Sequence, residues 1–452
     1  MAGDTPAFGG SLTMRKMILT TFVVPLGYHR NSWRRDGSRA EEVPGLAYVR
    51  DLGRMAEEAK LDAVFFGDIV HAGPTMRGDT MMNGFYEPMT TLAALAATTT
   101  NIGLIGTLST SLSEPYNVAR QLSSLDHLSA GRAGWNIVTS SDGFRNFGIA
   151  EAPAAADRYR RATEFVRVVE RLWDSWSDDA VIADRAASKW LETDKLRQIN
   201  HTGEFFAVEG PINIPRPPQG RPVLVQAGSS GPGLELGTSV ADAIYTAQPD
   251  FDEAVKFYAD VRRQANRAQA AGLRRSALPP KVIPGIVPVV ADTSKEADEI
   301  AAELASFLDI EQGRLQLAGD LGVDLSDIDL NEPVPQERFD QIAQMTSRQA
   351  IYRRMSVEQG LDLRDLIVKR ARSTGHQWIA GTASSIADQM QAWFEAPACD
   401  GFNLNSPYNP EGFERICTKL VPELQHRGLF RTEYEGSTLR DHLGIPRPTV
   451  LF

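Results

Sequence analysis

The chain has 452 residues, with 47 Lys and Arg against 58 Asp and Glu, for a formal net charge of -11. That acid surplus speaks against nucleic acid, whose phosphates call for a basic face, and no apolar run is long enough to span a membrane. A hydrophobic share of 42% and a charged share of 23% suit a globular enzyme. The two cysteines, Cys399 and Cys417, form no CxxC or Cys/His cluster, which points to a reducing, cytoplasmic compartment and to no metal site. The opening MAGDTPAFGGSLTMRK is Gly-rich and lacks the apolar core of a signal peptide. Residues 1–16 therefore read as a flexible tail and 17–452 as one domain.

Strand and helix patterns alternate along the chain. Met17 to Val24 is a continuous apolar run with β-branched residues, the pattern of a parallel strand buried on both faces. Tyr48 to Lys60 reads as helix and Ala63 to Phe66 as a second strand. Pro88 to Thr99 is helical, followed by strand three, Ile102 to Gly106. Pro115 to Leu128 has helical periodicity and stops at Ser129-Ala130-Gly131, small residues with a Gly suited to a helix end. Arg132 to Val138 is strand four, and Ala162 to Trp176 is a helix. Val223 to Ala227, Ala243 to Thr246, Ile283 to Val290 and Gly401 to Asn405 complete eight strands. This alternation predicts an α/β fold, a (β/α)8 TIM barrel rather than an open sheet. Two segments exceed the bare barrel: a Pro-rich stretch with hairpin strands over 178–222, and a polar helical stretch over 313–370. Both read as rim insertions, which at this length act as lids or packing arms.

Candidate chemistry collects at strand ends. Strand two ends in Gly67-Asp68. Strand three ends in Thr107, Ser109, Thr110 and Ser111, and strand four carries Asn136 before Thr139, Ser140, Ser141 and Asp142. Strand five runs into QAGSSGPG, where Gly228, Ser229 and Ser230 precede a helix; successive amides in such a loop cradle a phosphate. Each taken alone is as readily a turn or a cap. Together on one barrel face they are hard to explain as packing. His29 follows strand one in VPLGYHRNSW, placed either to exchange protons or to bond backbone. His71 reads as a rim group, and His127, His201, His376, His426 and His442 as structural or solvated. Tyr28, Phe66, Met82, Phe85 and Trp378 are candidates to line a substrate pocket, which would take a ligand with a sizeable apolar part.

Several long runs carry a resemblance. They are FYEPMTTLAALAATTTNIGL from Phe85, EPYNVARQLSSLDHLSAGRAGWNIVTSSDGFRNFG from Glu114, DRYRRATEF from Asp157, LVQAGSSGPG, and GLFRTEYEGSTLRDHLG near the C-terminus. In these the chain resembles the flavin monooxygenases of the bacterial luciferase-like superfamily. The branch is the one that includes nitrilotriacetate monooxygenase, pristinamycin synthase and dibenzothiophene sulfone monooxygenase.

The resemblance implies FMN, supplied as FMNH2 by a separate NAD(P)H-dependent flavin reductase, with O2 as co-substrate. It implies oxygenation of a small organic substrate through a C4a-(hydro)peroxyflavin, with C–S, C–N or C–halogen cleavage, and a homodimer or homotetramer. Carried onto this sequence, it places Asp68, Thr107, Asn136, Val138 and Tyr159 around the flavin ring and ribityl chain. Gly228, Ser229 and Ser230 would lie at the phosphate, and His29 would be catalytic. One position departs from the pattern. Relatives often have His four residues before this Tyr, where Ala155 stands here, leaving Arg158 or Arg160 to replace a polar contact. The alternatives are an F420-dependent oxidoreductase on the same barrel, a hydrolase, and a non-catalytic flavin-binding protein.

Overall fold

Residues 15–72, 86–228, 231–343 and 345–451 are described by the computed structural model of the chain. Eight parallel strands close on themselves: β1 (Ile18–Phe22), β2 (Ala63–Phe66), β3 (Gly103–Ser109), β4 (Ala133–Val138), β5 (Val223–Ala227), β6 (Ala243–Thr246), β7 (Lys281–Ala291) and β9 (Gly401–Leu404). The order around the barrel is sequential. β9 closes it, pairing Ile18 with Gly401 on one side and Gly285 with Asn403 on the other. All eight predicted strands are present.

A ninth strand, β8 (Gln377–Thr382), was not expected. It pairs with the outer half of β7, from Ile286 opposite Gln377 to Ala291 opposite Thr382. β7 is accordingly longer than its apolar run suggests.

Helices α1 (Leu46–Glu58), α2 (Pro88–Ala96), α3 (Pro115–Leu128), α4 (Ala155–Trp173), α5 (Gly231–Val240), α6 (Phe251–Ala270) and α7 (Ser294–Ser306) cover the barrel. Pro88 and Pro115 occupy first-turn positions, where a missing N–H costs nothing. The Glu87 side chain caps α2 by accepting from the Met89 and Thr90 amides. α3 stops where Ala130 and Gly131 take positive φ values of 56° and 93°. α4 starts at Ala155, not at Ala162. Its first turns carry Asp157, Arg158, Arg160 and Arg161, good enough helix formers but without an apolar stripe to mark them.

The core has two layers. Between barrel and helices lie residues such as Leu19, Val64, Phe66, Leu104, Trp135 and Phe165. Inside the barrel lie Ile18, Phe65, Ile105, Val225, Tyr245 and Ile283, closed from below by Leu439, Leu443 and Ile445. The C-terminal run GLFRTEYEGSTLRDHLG thus plugs the floor of the barrel, and Gly103 lacks the Cβ that would collide with Leu439. Cys399 and Cys417 are buried, and burial pushes the Cys399 thiol up to about 12, so neither is a ready nucleophile.

The first insertion holds two small hairpins, Val181–Asp184 with Lys189–Leu191 and His201–Thr202 with Ala207–Val208. The second is helical, with α8 (Ile310–Leu321), α9 (Ser347–Arg353) and α10 (Leu363–Ser373) around a core of its own that includes Leu317, Phe339, Tyr352 and Ile367. Among the described residues no helix is long and apolar enough to cross a membrane.

Candidate active site

Side chains alternate along a strand, so β3 and β4 send Thr107 and Asn136 inward while Trp135 packs outward against Phe165 and Trp173. Thr107 and Asn136 are register partners near the C-terminal ends of their strands. Asn136 Nδ2 donates to Thr107 Oγ1 at 2.9 Å, and Thr107 Oγ1 donates to the Phe66 carbonyl at 2.9 Å. Asn136 Oδ1 is then left buried without a partner. Above this pair, Ser109 and Ser140 share a hydrogen bond of 2.7 Å beside Val138. Asp68, at the end of β2, is half-buried, and its carboxyl is raised first by burial and then by Glu87.

Across the barrel a second polar set lines the interior. Thr20 Oγ1 donates to Asn403 Oδ1 at 2.8 Å, Tyr245 OH donates to Thr20 Oγ1 at 3.1 Å, and Asn403 Nδ2 donates to Asn405 Oδ1 at 3.1 Å. Asn405 Nδ2 is buried with no acceptor.

The loop after β1 is tied down by backbone. Tyr28 N–H donates to the Ser406 carbonyl at 2.7 Å and His29 N–H to the Pro407 carbonyl at 3.1 Å. His29 is 1% exposed. Its Nδ1 accepts from the Asn31 amide at 3.4 Å, which leaves the proton of the neutral ring on Nε2, a buried atom with no partner. Burial, helped by Arg372, lowers its pKa from 6.5 to about 4, so the ring is neutral at pH 7. Tyr28 stands edge-on between Phe22, at 6.3 Å, and His376, at 5.8 Å. His376 and Asn405 both lie against Gly285, and burial followed by Arg348 lowers the His376 pKa to about 3.

The fold therefore brings Tyr28, His29, Asp68, Thr107, Asn136 and Val138 to one end of the barrel. Gly228 closes β5 at that end, and α5 begins three residues on, at Gly231. Tyr159 lies in the first turns of α4 and packs partly on the outer core layer. Ser229, Ser230, Met82 and Phe85 lie outside the described residues. Phe66 is a correction: by strand parity it packs in the outer layer under the helices, and Phe65 takes the inward place. Trp378 sits on β8 and lines a side cavity of about 370 Å3 rather than the barrel interior.

His376 packs against Gly285 and edge-on to Tyr28, beside the mouth. Arg160 is engaged with Asp157 at 2.7 Å and Glu204 at 2.6 Å on the surface, so it does not stand in for a His at Ala155. Arg158 keeps a buried Nε without a partner. Phe22, Phe65, Tyr245, Thr20, Asn403 and Asn405 were missed. Their signal was inward parity on strands β1, β2, β6 and β9. Among the described residues no group of three or more His, Cys, Asp and Glu could hold a metal ion.

Buried amide, hydroxyl and imidazole groups gathered at the C-terminal mouth of a parallel barrel define a TIM-barrel enzyme. A profile of the luciferase-like monooxygenases matches residues 15–399. The chain is 40% identical over 437 residues to N-acetyl-S-(2-succino)cysteine monooxygenase of Bacillus subtilis (strain 168), covering 96% of this chain and 98% of that one. It is 40% identical over 435 residues to nitrilotriacetate monooxygenase component A of Aminobacter aminovorans, covering 93% and 95%. The solved structure of a riboflavin lyase, with a modified FMN and riboflavin bound, is similar at a TM-score of 0.82 and 29% identity, over 95% of this chain and 96% of that one. The chain belongs to the luciferase-like monooxygenases, a family of flavin-dependent enzymes, in the branch that includes nitrilotriacetate monooxygenase.

Proposed function

We propose that the chain is the oxygenase of a two-component system that takes FMNH2 from a separate NAD(P)H-dependent reductase and inserts oxygen from O2 into a small organic substrate. The observation that carries this reading is the Thr107–Asn136 pair, which aims one unsatisfied acceptor, Asn136 Oδ1, at the mouth. His29 Nε2–H and Asn405 Nδ2 are unsatisfied donors at the same end. A flavin ring edge alternates N–H and C=O groups, so an acceptor with flanking donors fits it. Bound reduced FMN would supply the reaction with O2.

The residues of the chain bind, orient and shield. Asn136 and Thr107 hold the ring, and Asp68, Val138 and Tyr159 border it. Gly228, Ser229 and Ser230 hold the phosphate ahead of α5, where backbone amides and the helix dipole favour an anion. Neutral His29 donates a hydrogen bond to the reacting oxygen or to the substrate. Tyr28, Trp378 and the aromatics Phe22 and Phe65 line the substrate side, with the rim insertions excluding water.

The named substrates of the two 40% relatives contain C–S and C–N bonds, which favours cleavage of such a bond here. The designation component A of one relative favours a reductase partner. We further propose a single catalytic domain over 17–452, a cytoplasmic location and a homodimer or homotetramer. The F420 reading is the weaker one, because these relatives are monooxygenases by name and the riboflavin lyase binds an FMN.

Anaerobic titration with FMNH2, riboflavin and reduced F420, followed by mixing with 18O2 and a substrate panel, tests the proposal. FMNH2 binding with label in a product is the expected result. Binding of F420 alone, or of flavin with no label in any product, would sink it.

A further inference from the structure

In an eight-stranded closed barrel β5 lies diametrically across from β1. The Gly228 loop after β5 and the His29 loop after β1 therefore face each other over the mouth. On the β1 side stand Arg348, on α9, and Arg372, on α10. Neither forms an ion pair with any described residue, whereas their neighbours do: Arg354 pairs with Glu253 at 3.3 Å and Arg370 with Asp320 at 2.7 Å. Arg372 lies 5.7 Å from the Trp378 ring centre, and its Nε is buried without a partner. Arg348 lies against Gly375, one residue from His376.

Arg372, though not Arg348, lines one cavity with His376. Arg372, Lys369, Arg354, Tyr352, His376 and Trp378 line a space of about 370 Å3 that reaches His376 at the barrel mouth. Its one acid, Asp250, is committed to capping α6, accepting from the Glu253 amide at 3.1 Å. Tyr352 OH and His376 Nδ1 are buried there with no hydrogen-bond partner. Arg372, half-buried and with no ion pair to a described residue, stands beside unpaired polar atoms and leaves the cavity short of an anion. A planar carboxylate suits the arginine fork, and charge-assisted hydrogen bonds of this kind are the strong ones.

We propose that the substrate carries a carboxylate, and that Arg372, with Lys369 at the outer end, holds it in this cavity beside His376, while Arg348 adds positive charge from α9 next to His376. The inference rests on the mouth being the oxygenation site. It places the ionic grip on the side away from the phosphate loop, so the rest of the substrate reaches toward the flavin. It assigns α9 and α10 of the second insertion a part in specificity beyond shielding.

The test is calorimetric titration of the full chain with thiodiglycolate and with its uncharged bis-amide, which share shape and thioether and differ in charge. The acid should bind at least about tenfold tighter than the amide, and the preference should fall about tenfold in Arg372→Gln and by less in Arg348→Gln, whose charge acts from outside the lining. Lys369→Gln, on an exposed position, provides a variant that keeps the fold and should give a smaller loss. Equal binding of acid and amide, no binding of either, or an unchanged preference in all three variants overturns the proposal. So does a loss of FMN affinity in place of acid affinity in Arg372→Gln, which would make the cluster a flavin phosphate site. A parallel FMNH2 titration of the wild type separates the two readings. Failure there removes the monooxygenase assignment, whereas flavin binding without acid preference removes only the carboxylate.

Discussion

Asn136 and Thr107 orient one another. Thr107 Oγ1 gives its proton to the Phe66 carbonyl, so it is left to accept, and the group facing it from Asn136 must be the amide NH2. The carbonyl end of Asn136 is thereby turned to the mouth, without ambiguity between its oxygen and nitrogen. Two adjacent strand ends thus fix the direction of one acceptor before any ligand arrives.

If that acceptor meets the flavin ring, Asn136→Ala should weaken FMNH2 binding about tenfold, the worth of one buried hydrogen bond of about 1–2 kcal/mol. Thr107→Val keeps the shape but releases the amide to rotate, so a smaller loss is expected. Anaerobic fluorescence titration measures both. Wild-type affinity in both variants would take the ring away from β3 and β4.

His29 is held neutral by burial, with a pKa lowered to about 4. Its NMR titration midpoint should lie near that value, well below the 6.5 of a free imidazole. The linkage has a definite sign: between pH 6.5 and about 4 the unfolded chain binds a proton that the folded chain excludes, so folding stability falls as pH drops through that window and is unaffected above it. His29→Ala should keep flavin binding and lose product yield, with more hydrogen peroxide released. A midpoint near 6.5, or full product yield in the variant, would reduce His29 to a loop residue.

Much of this was legible in the sequence because parallel-barrel strands are buried on both faces and announce themselves as apolar runs. β2, β5 and β6 match their predicted ranges residue for residue. β8 was not legible, because Gln377-Trp378-Ile379-Ala380-Gly381-Thr382 is mixed in polarity and partly exposed, with no run of apolar residues to mark it. Which way a side chain faces was the harder matter. Phe65 and Phe66 are identical in chemistry and adjacent in sequence, and only the register with β1 and β3 sends one inward and the other outward. The place of His376 was not legible either, because it depends on the close approach that Gly285 permits, a contact between residues far apart in the chain.

Gly285 gives that contact a test. A Cβ there would overlap His376 Nδ1, and would come within 2.7 Å of His376 Cε1 and 2.9 Å of Asn405 Nδ2. Gly285→Ala should therefore displace His376 and Asn405 while leaving the barrel intact. We expect unchanged far-UV circular dichroism, FMN affinity within about threefold of wild type, and at least about a tenfold loss in product formed per FMNH2 consumed, in line with the cost of a misplaced site group. Full coupling in this variant would show that His376 has no part in catalysis.

The end of β4 opposite to Asn136 is fixed by Arg132, which is 2% exposed. It donates to the carbonyls of Ser129 at 2.7 Å, Ile102 at 2.7 Å, Thr99 at 3.0 Å and Ala96 at 3.3 Å, and to Thr99 Oγ1 at 2.9 Å. One guanidinium thus joins the C-terminal end of α2, the turn before β3 and the stop of α3. Arg132→Met fills the volume but leaves four carbonyls without this donor in a space closed to water, so the expected loss is about 3–5 kcal/mol. Arg132→Lys, with one compact ammonium in place of the fork, should recover only part of it. Urea denaturation measures both. Because the register of β4 sets the height of Asn136 in the barrel, the Met variant should also weaken FMNH2 binding at temperatures where it remains folded. A stability change below about 1 kcal/mol would mean that the neighbouring backbone finds other donors, and that the mouth does not depend on this anchor.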